Sequence, residues 1–164
     1  MKRKFLQAGL LVTVLGFLFF SCISSVSDNI AEKFRGKWEI THFQYSKNEL
    51  DGASYTFPCT IDGNEYSSAG YEIEEKAVKI YVNGSLKTTY SDAFSDGPSL
   101  KYWPSGSNVA KDIGISMYFD NPNYDAFIIN YPNSKGEYGA VGAVGYSKGD
   151  GNEFLKRVSK FSWE

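Results

Sequence analysis

The sequence predicts an all-β domain of eight to ten antiparallel strands. The chain has 12 Tyr together with many Val, Ile and Thr, which are residue types enriched in strands. Glycine-bearing turns recur roughly every 10 to 15 residues, a spacing typical of short strands joined by turns. Beyond residue 34 no segment has the apolar periodicity of an amphipathic helix. Together these three observations favour strands over helices throughout the domain.

Residues 1–21 are predicted to form a signal peptide that precedes the fold. Met1 to Lys4 carries the basic residues, and Phe5 to Phe20 is apolar apart from Gln7 and Thr13. A basic head followed by a short apolar segment is typical of a secretory leader. The apolar run is also shorter than the roughly 20 residues that a membrane-spanning helix needs.

The end of this leader, "LFFSC", resembles the lipobox of bacterial lipoproteins. Ser21 directly before Cys22 fits the lipobox, whereas Phe19 and Phe20 stand where Leu and a small residue are common. The resemblance implies that Cys22 is acylated and holds the protein on a membrane of the cell envelope. Because Ile23 rather than Asp follows, analogy with enteric bacteria favours the outer membrane. Ordinary secretion is the alternative, and the side of the membrane stays open.

The rest of the chain has the size of one domain. Residues 22–29 are predicted to be the lipidated Cys and a polar tether, and residues 30–164 the β-domain. Removal of the 21 leader residues from the 164 leaves 143, and the 17 Lys and Arg fall to 14 against 19 Asp and Glu, a formal charge of −5. This acidic balance disfavours nucleic acid as a partner, since nucleic-acid binding needs a basic face.

Turn residues and alternation place the individual strands. A helical turn over Ile30–Phe34 leads into a strand over Lys37–Tyr45. Asn83-Gly84 predicts a type I′ hairpin, in which Val82 pairs with Ser85 and Tyr81 with Leu86. Residues 95–108 are predicted to be loop with one short strand at most. Other strands are predicted over 54–61, with an edge or bulge at Pro58, and over 64–75, 113–119, 124–131, 137–147 and 153–161.

Gly36 and Trp38, at the start of the first strand, favour a closed barrel. Glycine permits the sharp turn from helix into strand, and the indole two residues later fills the barrel floor. With Gly36-Lys37-Trp38 first and Arg157 in the last strand, the sequence resembles the lipocalin-like families of the calycin group over most of residues 30–161. The resemblance implies an up-and-down barrel in which the last strand neighbours the first and Arg157 packs over Trp38.

The resemblance also implies a binding protein for a small apolar or amphiphilic ligand. The Thr-Asp-Tyr stretch and the C-terminal helix of true lipocalins are absent, so the resemblance is to the wider lipocalin-like group. The residues expected to line the site are Tyr81, Met117, Phe127, Ile129 and Tyr146. The alternative is a β-sandwich that acts as a non-catalytic protein-interaction module, with Tyr102 and Trp103 as anchors for an unidentified partner.

The sequence contains no catalytic or metal-binding pattern, and we expect neither an enzyme nor a cofactor. His42 is the only histidine, and strand spacing places it on the face of Trp38, either in the pocket or as an ordinary hydrogen-bonded side chain. One His and one remaining Cys do not make a zinc ligand set, and no Gly-x-Ser-x-Gly elbow occurs. Cys59 lies among apolar residues and is expected to be a buried, inert thiol.

Overall fold

The computed structural model describes residues 28–46, 53–61, 63–119, 123–130 and 150–164. This part of the chain contains twelve β-strands and one 3₁₀ turn at Glu32–Phe34, and no α-helix. The strands are β1 (Gly36–Ser46), β2 (Ala53–Thr56), β3 (Cys59–Ile61), β4 (Asn64–Tyr66), β5 (Ala69–Ile73), β6 (Ala77–Val82), β7 (Ser85–Ser91), β8 (Ala93–Asp96), β9 (Ser99–Tyr102), β10 (Lys111–Tyr118), β11 (Ala126–Asn130) and β12 (Asp150–Val158). The predicted all-β class is confirmed, whereas the twelve strands of the described residues exceed the predicted eight to ten.

The main sheet contains ten strands in antiparallel pairs. Its order is β7-β6-β5-β1-β12-β11-β10-β9-β8, and β2 also pairs with β1. β1 lies between β5 and β12, with β5, β6 and β7 following one another on one side and β12, β11, β10, β9 and β8 on the other. The predicted pairing of the first and last strands is confirmed, since β1 and β12 are in register from Lys37↔Val158 to Ser46↔Asp150.

The two ends of the main sheet are consecutive in the chain. β7 ends at Ser91 and β8 begins at Ala93, and Asp92 between them has a positive φ of 51°. The Ala93 N–H still donates to the Lys76 carbonyl beside β6 at 2.8 Å, while β8 itself pairs with β9. A closed barrel was predicted, but no ladder joins β7 to β8 in the described residues. The strand order is therefore open, and the chain bends sharply at Asp92 between β7 and β8.

The core is arranged in layers that follow the cross-strand register. Successive layers are two strand residues, or about 7 Å, apart. Every side chain in these layers except Arg157 is at most 3 % exposed. The first layer pairs Trp38 with Arg157, the second contains Ile40, Leu155 and Ala126, and the third contains Phe43, Glu153, Ile128 and Met117.

A β-bulge at Thr41 changes which residues of β1 face the core. The register passes from Ile40↔Leu155 directly to His42↔Phe154, so Thr41 is the extra residue on its strand. Phe43 is consequently buried in the third layer, and His42 lies on the opposite face. The prediction that His42 shares the face of Trp38 is wrong because it assumed an uninterrupted two-residue period.

Turn residues decided how well the hairpins were predicted. Asn83 and Gly84 have φ values of 52° and 73°, and the predicted pairs across this turn are confirmed. The stretch 95–108, predicted as mostly loop, instead includes strand residues of β8 and β9, which are joined at Gly97 with a φ of 60°. The strand predicted over 54–61 is divided at Phe57-Pro58 into β2, which joins the main sheet, and β3, which pairs with β4 in a separate two-stranded sheet.

The C-terminal tail, residues 159–164, folds over the outer face of β5 and β6. The last strand ends at Val158 rather than at the predicted residue 161. Phe161 is 2 % exposed and stacks on Trp163 with ring centroids 4.5 Å apart. A Cβ on Gly70 would lie 2.6 Å from a backbone oxygen of β1 and 3.0 Å from both rings. Only glycine at this position lets the tail pack so closely on the sheet.

Candidate functional site in the sheet core

The first candidate group is the Trp38 cluster, made of Phe34, Trp38, Phe119 and Arg157. The guanidinium carbon of Arg157 lies 4.2 Å from the centroid of the Trp38 ring. The Phe119 ring packs 5.5 Å from Phe34 and 5.9 Å from Trp38. The Trp38 Nε1–H donates to the Phe34 carbonyl at 2.8 Å. The buried indole therefore has a hydrogen-bond acceptor, a cation and an aromatic neighbour.

Arg157 ties the last strand to the 3₁₀ turn that precedes the first. Its Nη1 donates to the Arg35 carbonyl at 2.5 Å and its Nη2 to the Lys33 carbonyl at 2.8 Å. Gly36 has a φ of 126°, and a Cβ there would lie 3.1 Å from Nη1 of Arg157. Backbone carbonyls at the end of a helical turn lack hydrogen-bond donors within the turn. Arg157 supplies a donor to each of these two carbonyls. Gly36, Trp38 and Arg157, predicted from the sequence, thus lie together.

The second candidate group is the Tyr71–Glu153 pair. Both residues are 0 % exposed, and the Tyr71 hydroxyl donates to Oε2 of Glu153. Tyr71 is in register with Trp38, while Glu153 is in register with Phe43, so the phenol reaches across β1 towards the third layer. Glu153 is the one charged side chain in the buried set of the described residues. A carboxylate in such apolar surroundings needs hydrogen-bond donors to offset its lost hydration.

Lys87 is a cation whose charge acts on this pair. The β6–β7 register passes from Ile80↔Thr88 to Tyr81↔Leu86, which leaves Lys87 as a bulge residue. Lys87 is exposed overall, yet partial burial of its amine lowers the pKa of Lys87, and the negative charge of Glu153 opposes that shift. Lys87 is therefore part of the electrostatic surroundings of Glu153.

A groove of about 460 Å³ opens where β1 changes partner. Gly36–Glu39 pairs with β5 and His42–Tyr45 pairs with β2, and these two ladders leave Ile40 and Thr41 between them. The groove is lined by Ile40 and Ala69, which belong to the core, and by polar residues of both walls. Its volume is in the range of small-molecule sites, about 300–1,000 Å³. Ile40 belongs to the layer next to Glu153.

His42 lies on the outer face within an aromatic group. Its ring stacks on Phe154 with centroids 4.3 Å and planes 5° apart, and Tyr124 packs 4.8 Å from each of them. Thr41 Oγ1 lies 3.2 Å from Nδ1 of His42. Burial lowers the pKa of His42 from its usual 6.5, which favours the neutral imidazole. The structure thus favours the ordinary hydrogen-bonded histidine over the pocket residue.

Met117 and Tyr81, two of the predicted lining residues, lie on different faces of the sheet. Met117 is 1 % exposed in the third core layer. Tyr81 lies beneath the C-terminal tail, with its ring 5.3 Å from Phe161 and its hydroxyl donating to Glu72 at 3.0 Å. Tyr81 therefore does not line the core, because its neighbour Ile80 occupies that face.

The remaining predicted lining residues, Phe127, Ile129 and Tyr146, stay predictions. Ala126 and Ile128 are the buried positions of β11, so Phe127 and Ile129 hold the alternate register positions, and their side chains lie outside the described set. Cys22 and Tyr146 also lie outside the described residues.

Three further residues singled out from the sequence are at the surface or half-buried. Tyr102 is half-buried with its ring 5.0 Å from Tyr90. Trp103 is 38 % exposed and stacks on Phe94 at 5.4 Å. Cys59 is half-buried, and burial raises the pKa of its thiol, which agrees with an inert group.

Sequence reasoning missed the Tyr71–Glu153 pair although a signal for half of it was present. Arg157 was assigned to the core side of the last strand, and the two-residue period then places Leu155 and Glu153 on the same side. Tyr71 had no comparable signal, since its partner is 82 residues away in the chain.

Comparison with known proteins gave no match: no family model, no curated protein and no solved structure matches this chain. Across the residues that the structure describes, no helix is both long and apolar enough to cross a membrane. In the same residues, no three His, Cys, Asp or Glu side chains are grouped so as to hold a metal ion.

Proposed function

We propose that this chain is a bacterial lipoprotein, anchored through Cys22 in the cell envelope, whose sheet forms a lipocalin-like barrel that binds a small apolar or amphiphilic ligand. The observation that carries the proposal is the stacking of Arg157 on Trp38 where the first and last strands pair. This arrangement is the one that the resemblance implies. The proposal assigns the protein no catalytic activity and no cofactor.

Contacts between distant strands support a curled sheet. β7 and β12 are four places apart in the strand order, about 19 Å in a flat sheet, yet the charges of Lys87 and Glu153 interact. β1 and β10 are three places apart, and Phe119, directly after β10, touches Trp38. In the barrel that we propose, β7 and β8 act as one strand bent at Asp92, paired first with β6 and then with β9.

The polarity of the core supports an amphiphilic ligand. Phe43, Ile128 and Met117 offer apolar surface in the third layer, and Glu153 lies in the same layer with Tyr71 bonded to it. Sites for small molecules typically combine an apolar lining with a few placed polar groups. The groove beside Ile40 and Ala69 is a cavity of about 460 Å³ next to the second layer of the core.

The binding proposal is tested on the processed, lipid-anchored protein in lipid nanodiscs. We expect N-phenylnaphthylamine, a neutral apolar probe, to accept energy from the protein's Trp residues and to saturate at one probe per protein. Empty nanodiscs provide the background from partition into lipid. A signal that rises linearly with probe, without saturation above the background, would contradict a binding site.

The anchor is tested separately. The Ile30 N–H donates to the Glu75 carbonyl at 2.8 Å, so a residue eight positions after Cys22 is already bonded to the sheet, and we propose that residues 22–29 link the domain to the lipid. We expect intact mass spectrometry of the native protein to show acyl chains on Cys22 and fractionation to place it with the outer membrane. Replacement Cys22→Ser should release it. An unmodified Cys22 would refute the anchor but leave the binding proposal intact.

A second candidate function, a protein-interaction module, is favoured by one observation: Trp103 is 38 % exposed and held against Phe94. Exposed aromatic residues are common anchors of interfaces. We expect Trp103→Ala to abolish crosslinking to a partner in native envelopes, whereas Leu86→Ala, at a 54 % exposed position, should not. An unchanged crosslinking pattern in the Trp103 variant would exclude this role.

A further inference from the structure

We propose that the outer face of β1 and β12 carries a second binding site, separate from the core, for a neutral oligosaccharide. Its centre is Lys156, which lines two adjoining cavities. This inference goes beyond the function proposed above, which concerns a ligand inside the sheet.

The two cavities are joined through shared side chains. The first is the groove of about 460 Å³ at the partner change of β1, and the second has a volume of about 400 Å³. Thr41 and Lys156 line both of them. Each volume is in the range of small-molecule sites, about 300–1,000 Å³. The cavities therefore form two neighbouring subsites, an arrangement that suits successive rings of a short oligosaccharide.

Lys156 lies between two carboxylates and pairs with neither. Glu39, its cross-strand partner on β1, accepts hydrogen bonds from the Ser162 N–H at 3.1 Å and the Ser162 hydroxyl at 2.5 Å. Asp125, on the other side of β12, accepts from the Arg157 N–H at 3.0 Å through Oδ2. Among the described residues no ion pair involves Lys156. Its exposed ammonium is therefore available to a ligand.

This row of charges favours a neutral ligand that is rich in hydroxyl groups. An ammonium only donates hydrogen bonds and a carboxylate only accepts them, so Glu39, Lys156 and Asp125 alternate as acceptor, donor and acceptor. A hydroxyl group both donates and accepts, and a sugar carries several of them side by side. An anionic ligand would meet two carboxylates, while a cationic group would leave the Lys156 ammonium without an acceptor.

The remaining polar lining adds hydrogen-bonding groups of the same kind. Hydroxyl side chains surround the first cavity, at Thr41, Ser67, Ser68 and Ser162. These groups donate and accept without carrying charge, so they complement a sugar without selecting an ion.

Aromatic residues line both cavities. His42 and Tyr124 line the second cavity and pack on each other with ring centroids 4.8 Å apart. Phe57 lines the first, and all three side chains are half-buried. The C–H groups on the face of a sugar ring pack well on the negative face of an aromatic ring. Each cavity thus combines an aromatic residue with polar groups, and the two share the ammonium of Lys156.

The experiment titrates the lipid-anchored protein in nanodiscs with four neutral disaccharides: cellobiose, maltose, lactose and N,N′-diacetylchitobiose. Saturation-transfer difference NMR measures binding, and empty nanodiscs give the background. We expect at least one of the four to bind saturably and more tightly than the acidic digalacturonate or the cationic deacetylated chitobiose. Failure of all four to bind, or tighter binding of either charged disaccharide, would overturn the inference.

A matched pair of variants locates the effect. Lys156→Gln removes the ammonium at an exposed position, and we expect it to weaken disaccharide binding at least about tenfold, since one charge-assisted hydrogen bond contributes that factor. Lys160→Gln, also exposed but outside both cavities, should bind as the wild type does. Unchanged affinity in Lys156→Gln, or an equal loss in both variants, would refute the role of Lys156.

A second pair tests the aromatic contact. Tyr124→Leu should weaken binding, whereas Tyr102→Leu, at a half-buried position outside both cavities, should not. Urea unfolding of each variant checks that the fold is retained. Unchanged binding in Tyr124→Leu would contradict a sugar ring in the second cavity.

This proposal and the one for the core fail in different ways. We expect a bound disaccharide and N-phenylnaphthylamine to occupy the protein together, because their sites lie on different sides of the sheet. Displacement of the probe by the disaccharide would place the sugar in the core and overturn the present inference. Absence of probe binding would refute the core function and leave the outer site standing.

Discussion

The Trp38 cluster and the Tyr71–Glu153 pair are built alike and differ in one respect. In each, a charged side chain of β12 meets an aromatic residue of a nearby strand. The Arg157 guanidinium donates to backbone carbonyls of the turn before β1, and the side chain remains partly in water. Glu153 meets a side chain, Tyr71, and is shielded from water completely.

This difference would separate a structural group from the binding group that we propose. An arginine bonded to backbone oxygens fixes two segments of the chain relative to each other, and its removal costs stability. A carboxylate bonded to a phenol fixes no backbone, and its burial is costly to the fold. We therefore expect changes at the two sites to separate stability from binding.

The largest expected effect is on stability at the Trp38 cluster. Trp38→Ala should lower the free energy of unfolding by about 3–5 kcal/mol, because it removes a buried indole and leaves a cavity. Urea unfolding followed by circular dichroism measures the change. Trp103→Ala, at a 38 % exposed position, is the control and should cost much less. Equal losses in both variants would show that the cluster is not a packing centre.

The next effect concerns the guanidinium itself. Arg157→Lys keeps the charge but cannot bond both carbonyls of the turn, so we expect a loss of about 1–3 kcal/mol. Lys160→Gln, on the exposed tail, should be near neutral. Probe affinity should stay unchanged once the variant is folded. A loss of affinity without a loss of stability would reverse the assignment of the two sites.

A smaller effect on stability is expected at Glu153. Glu153→Gln removes a buried charge while keeping an acceptor for Tyr71, so the free energy of unfolding should change by less than about 1 kcal/mol or increase. The same urea titration at pH 7 tests this. A loss comparable to that of Arg157→Lys would mean that Glu153, too, is a structural group.

The smallest effect is the pH dependence contributed by His42, on the outer face. Its folded pKa lies below 6.5 because of burial, so the unfolded chain takes up the proton first as pH falls. Stability therefore decreases as pH drops through about 6.5 and levels off below the folded pKa. His42→Gln should flatten this part of the profile, measured as the midpoint of thermal unfolding at pH 7.5 and 5.5. An unchanged pH dependence in the variant would show that other groups cause it.

Local turn chemistry and the ends of the first and last strands were predictable from the sequence. Asn83-Gly84 fixes its hairpin because both residues tolerate positive φ. Gly36 and Trp38 were found from their residue types at the start of the first strand, and Arg157 from the resemblance to the lipocalin-like families. The bulge at Thr41 was not predictable, since nothing in "WEITHF" marks an extra residue. That bulge decides the faces of His42 and Phe43.

Features that depend on contacts between distant segments could not be predicted from the sequence for a similar reason. The packing of the tail requires glycine at position 70, because a side chain there would collide with Phe161 and Trp163. Nothing in the sequence around Gly70 indicates this requirement. The change of partner along β1 depends on how β2 and β5 share one edge. Neither arrangement follows from spacing along the chain, because both depend on contacts between distant segments.

The pairing of β1 with β12 also determines when this protein can fold. Arg35 and Arg157 are 122 residues apart, and β1 lacks one neighbour until the last strand has emerged. Pairing of such distant segments is slow, because a long loop must close before its contacts form. The hairpins between β5 and β11 can therefore form early, whereas the seam between β1 and β12 closes only after β12 has been synthesised.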